Sequence, residues 1–294
     1  MRVLQSGFPV EIRNPFGAPV YYKEMVTSTM DEARLLKDEP SGTVIAAGEQ
    51  SAGRGRSGRS WKVNREESPV FSIILQYGTF EAIHRCLTLR TGLAVSYAIE
   101  DFAAVAFGTQ DSLLADRVRV KWPNDIILLE KGGRGRKAAG ILTEAEGGTV
   151  YIGIGVNIAQ VSFPPELSGK ACSIAQAISG TADQHTADLP ADYRFTLLEL
   201  ILDRLYKELK TPERKSDWHK RLEERLYMKG RRICFIPGLP EELTGSNSPD
   251  KIEGTLKGIS EEGEILIQQD SGEIFPFVTG ELTPQFSAEP HDRL

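Results

Sequence analysis

Cysteine is scarce in this chain: Cys86, Cys172 and Cys234 are the only three among 294 residues, and they lie far apart. That excludes a disulfide framework and the paired spacing of a cysteine-ligated metal site. Histidine is nearly as rare, and His84, His185, His219 and His291 form no ligand pair. No run of 18 apolar residues occurs, so no segment reads as a membrane-spanning helix, and Met1–Val10 lacks the apolar core of a signal peptide. A surplus of positive charge is missing too. The balance of 35 basic against 41 acidic residues leaves a net charge of -6, which argues against a surface built as a whole for nucleic acid. Neither GxxxxGK[ST] nor GxSxG occurs, and no GxGxxG stands at a strand-to-helix turn. What remains is an ordinary globular composition, 40% hydrophobic and 26% charged, in a chain long enough for about two domains. The expectation is a reduced, soluble, cytoplasmic protein with no membrane partner.

The net charge is unevenly spread. From Met228 onward six basic residues face twelve acidic ones, so the preceding 227 residues sum to zero. A shift of that size marks a boundary between a domain over 1–227 and a smaller one over 228–294. Residues 1–27, with Pro9, Pro15, Gly17 and Pro19, read as short and irregular. Ser28 with Asp31 has helix-capping character and predicts a helix to about Asp38, before Pro40. Residues 43–49 and 68–77 read as buried strands and 81–107 as a long core helix. Strand-like runs at 117–130, 137–146 and 149–158 are joined by links too short for parallel crossovers, so they predict antiparallel hairpins. Helices follow over 191–209 and 212–226. Beyond 227, short strands at 231–236, 251–259, 263–269 and 273–278 suggest a small β-barrel.

Four segments carry chemistry. GRGRSGRSW at 53–61 alternates glycine and arginine directly after an apolar strand, and between residues 51 and 65 there are five basic residues and no acid. Glycine lets backbone N–H groups approach an anion and arginine supplies bidentate charged donors, so the loop suits a polyphosphate or acyl-phosphate. On these residues alone it also suits a solvated loop or a weak RNA-binding segment. In KWPND at 121–125, Pro123 presents Asn124 and Asp125 beyond a strand, where a carboxylate can hold Mg²⁺ or steer a proton. The same residues could form a plain turn. GRKAAGILTE at 135–144 places Lys137 at the opening of an apolar strand, as a clamp for a carboxylate and the phosphate it attacks, or as a strand-end guard. GIGVN at 153–157 puts glycines inside a strand, which marks close approach of a ligand or a bulge. The tetrad Gly-Arg-Gly-Arg occurs twice, at 53–56 and 133–136.

Taken in order, these motifs resemble the biotin–protein ligases, the biotin–[acetyl-CoA-carboxylase] ligases, from Ser28-Thr29 through Asn157 and more loosely to the end. The resemblance implies an α+β catalytic domain with a mixed, largely antiparallel sheet and flanking helices, akin to class II aminoacyl-tRNA synthetases, followed by an SH3-like barrel. It implies a two-step reaction in which biotin and MgATP give biotinyl-5′-adenylate and pyrophosphate, and the acyl group then passes to a lysine of the biotin carboxyl carrier domain of acetyl-CoA carboxylase or a related enzyme. Carried onto this sequence, the biotin residues are Ser28, Thr29, Met30, Gln50, Gly53, Arg54, Gly55, Arg56, Lys137 and Gly140, with Ser28, Thr29 and Gln50 on the ureido group. The nucleotide residues are Arg56, Arg59, Trp61, Lys121, Asn124 and Asn157. Lys137, Arg54 and Asp125 are the catalytic set, with Asp125 left between metal ligand and proton acceptor. Two positions depart from the pattern: Met30 follows Ser28-Thr29, where backbone is expected to do the work, and Ser57 stands where arginine is common. The 27 residues before Ser28 are too few for a helix-turn-helix domain, so no operator binding is expected. A monomer or homodimer is expected. Competing readings are a lipoate–protein ligase or octanoyltransferase relative, although no Gly-Gly-Gly run is present, and a non-catalytic RNA-binding module.

Overall fold

Strands with apolar residues on both faces belong inside a covered sheet, and Val44–Gln50 (β2) and Val70–Gln76 (β3) are of that kind, with every residue but Glu49 and Gln76 buried. A computed structural model describes residues 12–61, 68–107, 114–130, 133–179, 189, 192–211, 217–238 and 251–284. In it the two strands sit within a seven-stranded sheet of order β1-β2-β3-β7-β6-β5-β4. The other members are β1 (Val20–Val26), β4 (Val118–Lys121), β5 (Asp125–Leu129), β6 (Gly135–Glu146) and β7 (Thr149–Val156). Only β1 and β2 pair in parallel; β4–β5 and β6–β7 are the expected antiparallel hairpins.

Because side chains alternate across a strand, each register row belongs to one face. Ala46, Phe71, Ile154 and Ile141 form a row of the core face. The long helix α2 (Leu87–Phe107) lies on it, with Gly92 close to Val120, Ile126 and Ile141. Helix α4 (Tyr193–Lys210) packs behind α2, where the fully buried Arg90 donates to Glu208 Oε1 at 3.0 Å. The neighbouring row, Ala47–Val70–Gly155–Gly140–Asp125–Lys121, belongs to the opposite face and crosses all six strands after β1. Helix α1 (Thr29–Leu35) covers one end of that face. A short helix, α3 (Ile174–Ser179), and α5 (Trp218–Arg225) complete the described helices.

A second, antiparallel sheet of order β11-β10-β9-β8-β12 is built from β8 (Arg232–Pro237), β9 (Ile252–Ile259), β10 (Ile265–Gln268), β11 (Ile274–Phe277) and β12 (Gly280–Pro284). Among the described residues it is open, with β11 and β12 as its edges, and not the expected closed barrel. Yet only Val278 and Thr279 separate those two edge strands in sequence, a span of about 10 Å at most. The sheet is therefore strongly curled, without the ladder of hydrogen bonds that would close it. Its apolar face (Ile233, Phe235, Leu256, Ile265, Ile267) joins the same buried cluster as α2.

Several expectations need correction. Residues 20–26 form β1, whose apolar alternation is interrupted by Lys23 and Glu24 and so reads as irregular. The run 117–130 is two strands turning at Trp122–Asn124. Helix α1 stops at Leu35 rather than near Asp38, and α2 starts at Leu87 rather than 81. The strand β12 and helix α3, both short, carry no period that sequence could expose.

Candidate active site

The face of the large sheet opposite α2 gathers most of the residues that the motifs single out. Its key local feature is a β-bulge in β6. Asp125 pairs with Gly140 and Ile126 with Ala139, but Ile127 pairs with Lys137, so Ala138 is the extra residue. In a regular strand, positions 137 and 140 would face opposite sides; the bulge turns both to the same one. Lys137 Nζ thereby reaches Asp125 Oδ1 at 2.7 Å. The bulge is held from outside the sheet: Lys137 N–H donates to Lys170 O, Cys172 N–H to Lys137 O and Asn157 N–H to Ala138 O, at 2.8, 2.9 and 2.8 Å.

Gly140 and Gly155 are neighbours in one row, and the indole of Trp61 lies directly on both. A Cβ at Gly155 would stand 2.3 Å from Trp61 Nε1, and one at Gly140 2.9 Å from the ring. Any side chain at either position would expel that ring. Lys137 Nζ sits 5.4 Å from its centroid, within cation–π range. Trp61 Nε1 is buried and has no hydrogen-bond acceptor among the described residues.

At the other end of the face the chain enters α1. Ser28 occupies the N-cap position in extended backbone, but its hydroxyl makes no cap bond, contrary to expectation. Ser28 Oγ is instead buried with no partner among the described residues. Gln50 Oε1 accepts from Thr29 N–H at 2.7 Å and Thr29 Oγ1 at 3.1 Å, and Ser72 Oγ donates to Thr29 Oγ1 at 2.9 Å. A buried hydroxyl left unpaired costs about 1–3 kcal/mol, so this pocket is suited to a polar group supplied from outside the protein. Ser72 was not among the sequence candidates, although a lone serine inside VFSIILQ was a visible signal. The Met30 side chain is 3% exposed, packed over Gly153 with Ala33, Ile45 and Tyr151, which leaves its backbone as the part facing the pocket's entry.

The loop 53–61 bridges the two ends. Trp61 N–H donates to Gly53 O at 2.8 Å and Gly55 N–H to Arg59 O at 2.7 Å, folding the loop back over the sheet. Its three arginines go to three different elements. Arg54 Nη2 lies 2.7 Å from Asp31 Oδ1 on α1. Arg56 Nη1 donates to Asn124 Oδ1 at 3.1 Å. Arg59 pairs with Glu281 on β12 of the second sheet. Arg54 is thus tied to α1 and Arg56 to the turn after β4. Asn124 also donates to Ile141 O at 2.9 Å, which fixes its amide. A cavity of about 310 Å³ opens beside Arg56 and Asn124, bounded by Trp122, Thr143 and, from the second sheet, Gly263 and Val278.

Electrostatically the centre is cationic. Burial lowers the affinity of Lys121 for its proton, opposed by Asp125, with Lys137 and Arg59 adding to the lowering. Burial likewise lowers that of Arg56, again opposed by Asp125. Partly desolvated cations grouped around one carboxylate favour a polyanion. Asn157 Nδ2 donates to Cys172 O at 3.2 Å, which ties it to the segment behind the bulge. The second Gly-Arg tetrad is also committed to structure, Arg134 to Gly169 O at 2.9 Å and Arg136 to Glu130 at 2.5 Å. Lys62 and Arg65 lie outside the described residues. Among the described residues no three His, Cys, Asp or Glu side chains gather as a metal site, and no helix is long and apolar enough to cross a membrane.

Residues 22–158 match the biotin/lipoate A/B protein ligase family. The bifunctional ligase/repressor BirA of Salmonella typhimurium is 30% identical over 250 residues, covering 83% of this chain and 67% of that protein. The chain belongs to the biotin protein ligase family. Its counterpart from Bacillus spizizenii is 33% identical over 190 residues, and there this family member covers 62% of itself but spans only about half, 53%, of the relative's length. Among solved structures, the biotin protein ligase from Aquifex aeolicus in complex with biotin and ATP is 28% identical with a TM-score of 0.67, covering 90% of this chain and 97% of that one.

Proposed function

We propose that this chain is a biotin–protein ligase that activates biotin with MgATP to biotinyl-5′-adenylate and transfers the biotinyl group to a lysine of a biotin carboxyl carrier domain. The observation that carries the reading is the bulge at Ala138, which sets Lys137 on the same face as Gly140 and next to Asp125. Biotin's carboxylate and the α-phosphate are both anions, and they approach only where positive charge offsets their repulsion. Lys137 is suited to touch both, while Ser28, Thr29 and Gln50 receive the ureido head at the far end of the same face. Attack of the carboxylate oxygen on the α-phosphorus forms the acyl–phosphate bond and expels pyrophosphate toward Arg56, Arg59 and Lys121. The carrier lysine's amine then attacks the acyl carbon and AMP leaves; Asp125, held by Lys137, is the carboxylate suited to receive the proton. The indole of Trp61, lying over Gly140 and Gly155, is suited to exclude water from the acyl-adenylate.

Magnesium commonly binds through one or two protein carboxylates plus substrate phosphates. The single carboxylate Asp125 amid Arg56, Lys121 and Lys137 fits an ion brought in on the triphosphate, whose charge it neutralises. The curled sheet after residue 227 is read as a separate SH3-like unit, which its acidic charge and the close approach of β11 to β12 support. The absence of any disulfide among the described cysteines supports a reducing, cytoplasmic setting. The likeness to the Aquifex aeolicus enzyme supports the choice of biotin and ATP as substrates. Pyrophosphate exchange into ATP, run with biotin, lipoate or octanoate as the sole acid, tests the reading. Exchange with biotin alone is expected. Exchange with lipoate or octanoate instead overturns the substrate, and no exchange with any acid overturns the enzyme.

A further inference from the structure

Arg54 belongs to the glycine–arginine loop, and its guanidinium is held in a cluster with Asp31, Arg34 and Glu144. Asp31 Oδ1 lies 2.7 Å from Arg54 Nη2 and 3.5 Å from Arg34 Nη1, and Glu144 Oε2 lies 3.9 Å from Arg54 Nη2 and pairs closely with Arg34 Nη2. Asp31 and Arg34 are on α1, Glu144 is near the end of β6, and Arg54 is on the loop between them in space. Helix α1 lies against β2, β3 and β7, the last two of which carry Ser72 and Gly153. The loop starts with Gly53 against the Gln50 amide, beside the Thr29–Gln50–Ser72 network, and Arg54 fastens it on two carboxylates.

We infer that Asp31, with Glu144, is a positioning residue: a clasp that fastens Arg54 and so holds the 53–61 loop shut over the acyl substrate. The inference rests on the proposed ligase reading. All four side chains are between one third and one half exposed, so each contact is individually weak and screened by salt. That weakness suits a closure that must reopen each cycle. Asp31 touches neither the Lys137 centre nor the Thr29–Gln50 network among the contacts above, so its removal acts through the loop.

The test is biotin-dependent pyrophosphate exchange at low and high salt, for the intact chain and for Asp31→Asn, Glu144→Gln and Asp31→Glu. Wild-type exchange that requires biotin establishes the ligase reading independently. Given that, Asp31→Asn is expected to raise the KM for biotin about five-fold at low salt, the scale of one exposed ion pair, with kcat within two-fold. The wild-type KM is expected to climb with salt toward the Asp31→Asn value, while the variant's KM stays nearly flat. Glu144→Gln is expected to give a smaller rise, and Asp31→Glu to restore wild-type behaviour. A merely structural role would lower the active fraction and leave KM and its salt dependence alone. An Asp31→Asn enzyme with wild-type KM and wild-type salt response overturns the clasp; absence of biotin-dependent exchange in the wild type overturns the ligase reading itself.

Discussion

Replacing Lys137 with methionine keeps all but the terminal atom of the unbranched side chain and deletes its charge, and the structure separates the two consequences. Lys137 is 35% exposed and Asp125 19% exposed at the side chain, so their 2.7 Å pair is screened by solvent and is worth at most about 1 kcal/mol to the fold. Asp125 would also keep Arg56 and Lys121 within electrostatic reach. Thermal unfolding is therefore expected to shift by only a few degrees. Chemistry is another matter. One preorganised charge aimed at a developing anion is worth about 3 kcal/mol, or roughly 10²-fold in rate. Single-turnover adenylate formation, followed by quench and chromatography, measures the step directly. A Lys137→Met enzyme that is stable and about a hundred-fold slow fits; one that forms adenylate within three-fold of the wild-type rate refutes the role of this residue.

Ser28→Ala should produce opposite signs in two assays. Removing the buried, unpaired hydroxyl leaves stability unchanged or raises it, while biotin binding by calorimetry weakens by about 1 kcal/mol, the worth of one hydrogen bond; destabilisation without loss of affinity would show that the hydroxyl serves the fold. Gly155→Ala places a Cβ 2.3 Å from Trp61 Nε1, so the indole must leave its seat, at a cost of about 1–3 kcal/mol. Slower adenylate formation and a shifted Trp61 side-chain NMR signal are expected, and an unmoved ring with normal rates would contradict the packing. Burial pushes the Cys172 thiol up to about 12 from 9.0. Between those values the unfolded chain gives up a proton that the folded chain keeps, so this contribution to stability is whole below pH 9 and is lost as pH rises toward 12. Cys172→Ala should flatten the fall in denaturation midpoint across that window, and rapid alkylation of Cys172 in the folded protein at pH 8 would contradict its burial.

Residues whose environment is set by local pattern were legible in the sequence, and those set by register were not. Strands β2 and β3 announce themselves because they are apolar on both faces, and the β6–β7 hairpin because Gly147-Gly148 leaves room for nothing longer. Lys137, Asp125 and Gly140 were nameable as motif members. Their meeting depends on the extra residue Ala138, and nothing in GRKAAG distinguishes a bulged strand from a regular one. The glycines of GIGVN announced close approach, but that Trp61 makes it, on Gly155 and Gly140 together, follows from the loop folding back, a non-local event. Arg54, Arg56 and Arg59 look equivalent in GRGRSGRSW, and only tertiary partners from α1, the β4–β5 turn and β12 tell them apart. That Asn157 gives its amide N–H to Cys172 O is likewise a tertiary contact no motif displays. The curled second sheet was read as a barrel because short strands of even spacing are the same in both; only the missing β11–β12 ladder separates them.

The most direct measurement mixes the protein with α-³²P-labelled ATP, magnesium and biotin, without any carrier, and counts the labelled compound retained on the chain. One equivalent of biotinyl-5′-adenylate should accumulate on the wild-type protein and discharge when a biotin carrier domain is added. A chain that retains no labelled adenylate with biotin, or forms one with lipoate in its place, would contradict the assignment of this sheet face to biotin activation.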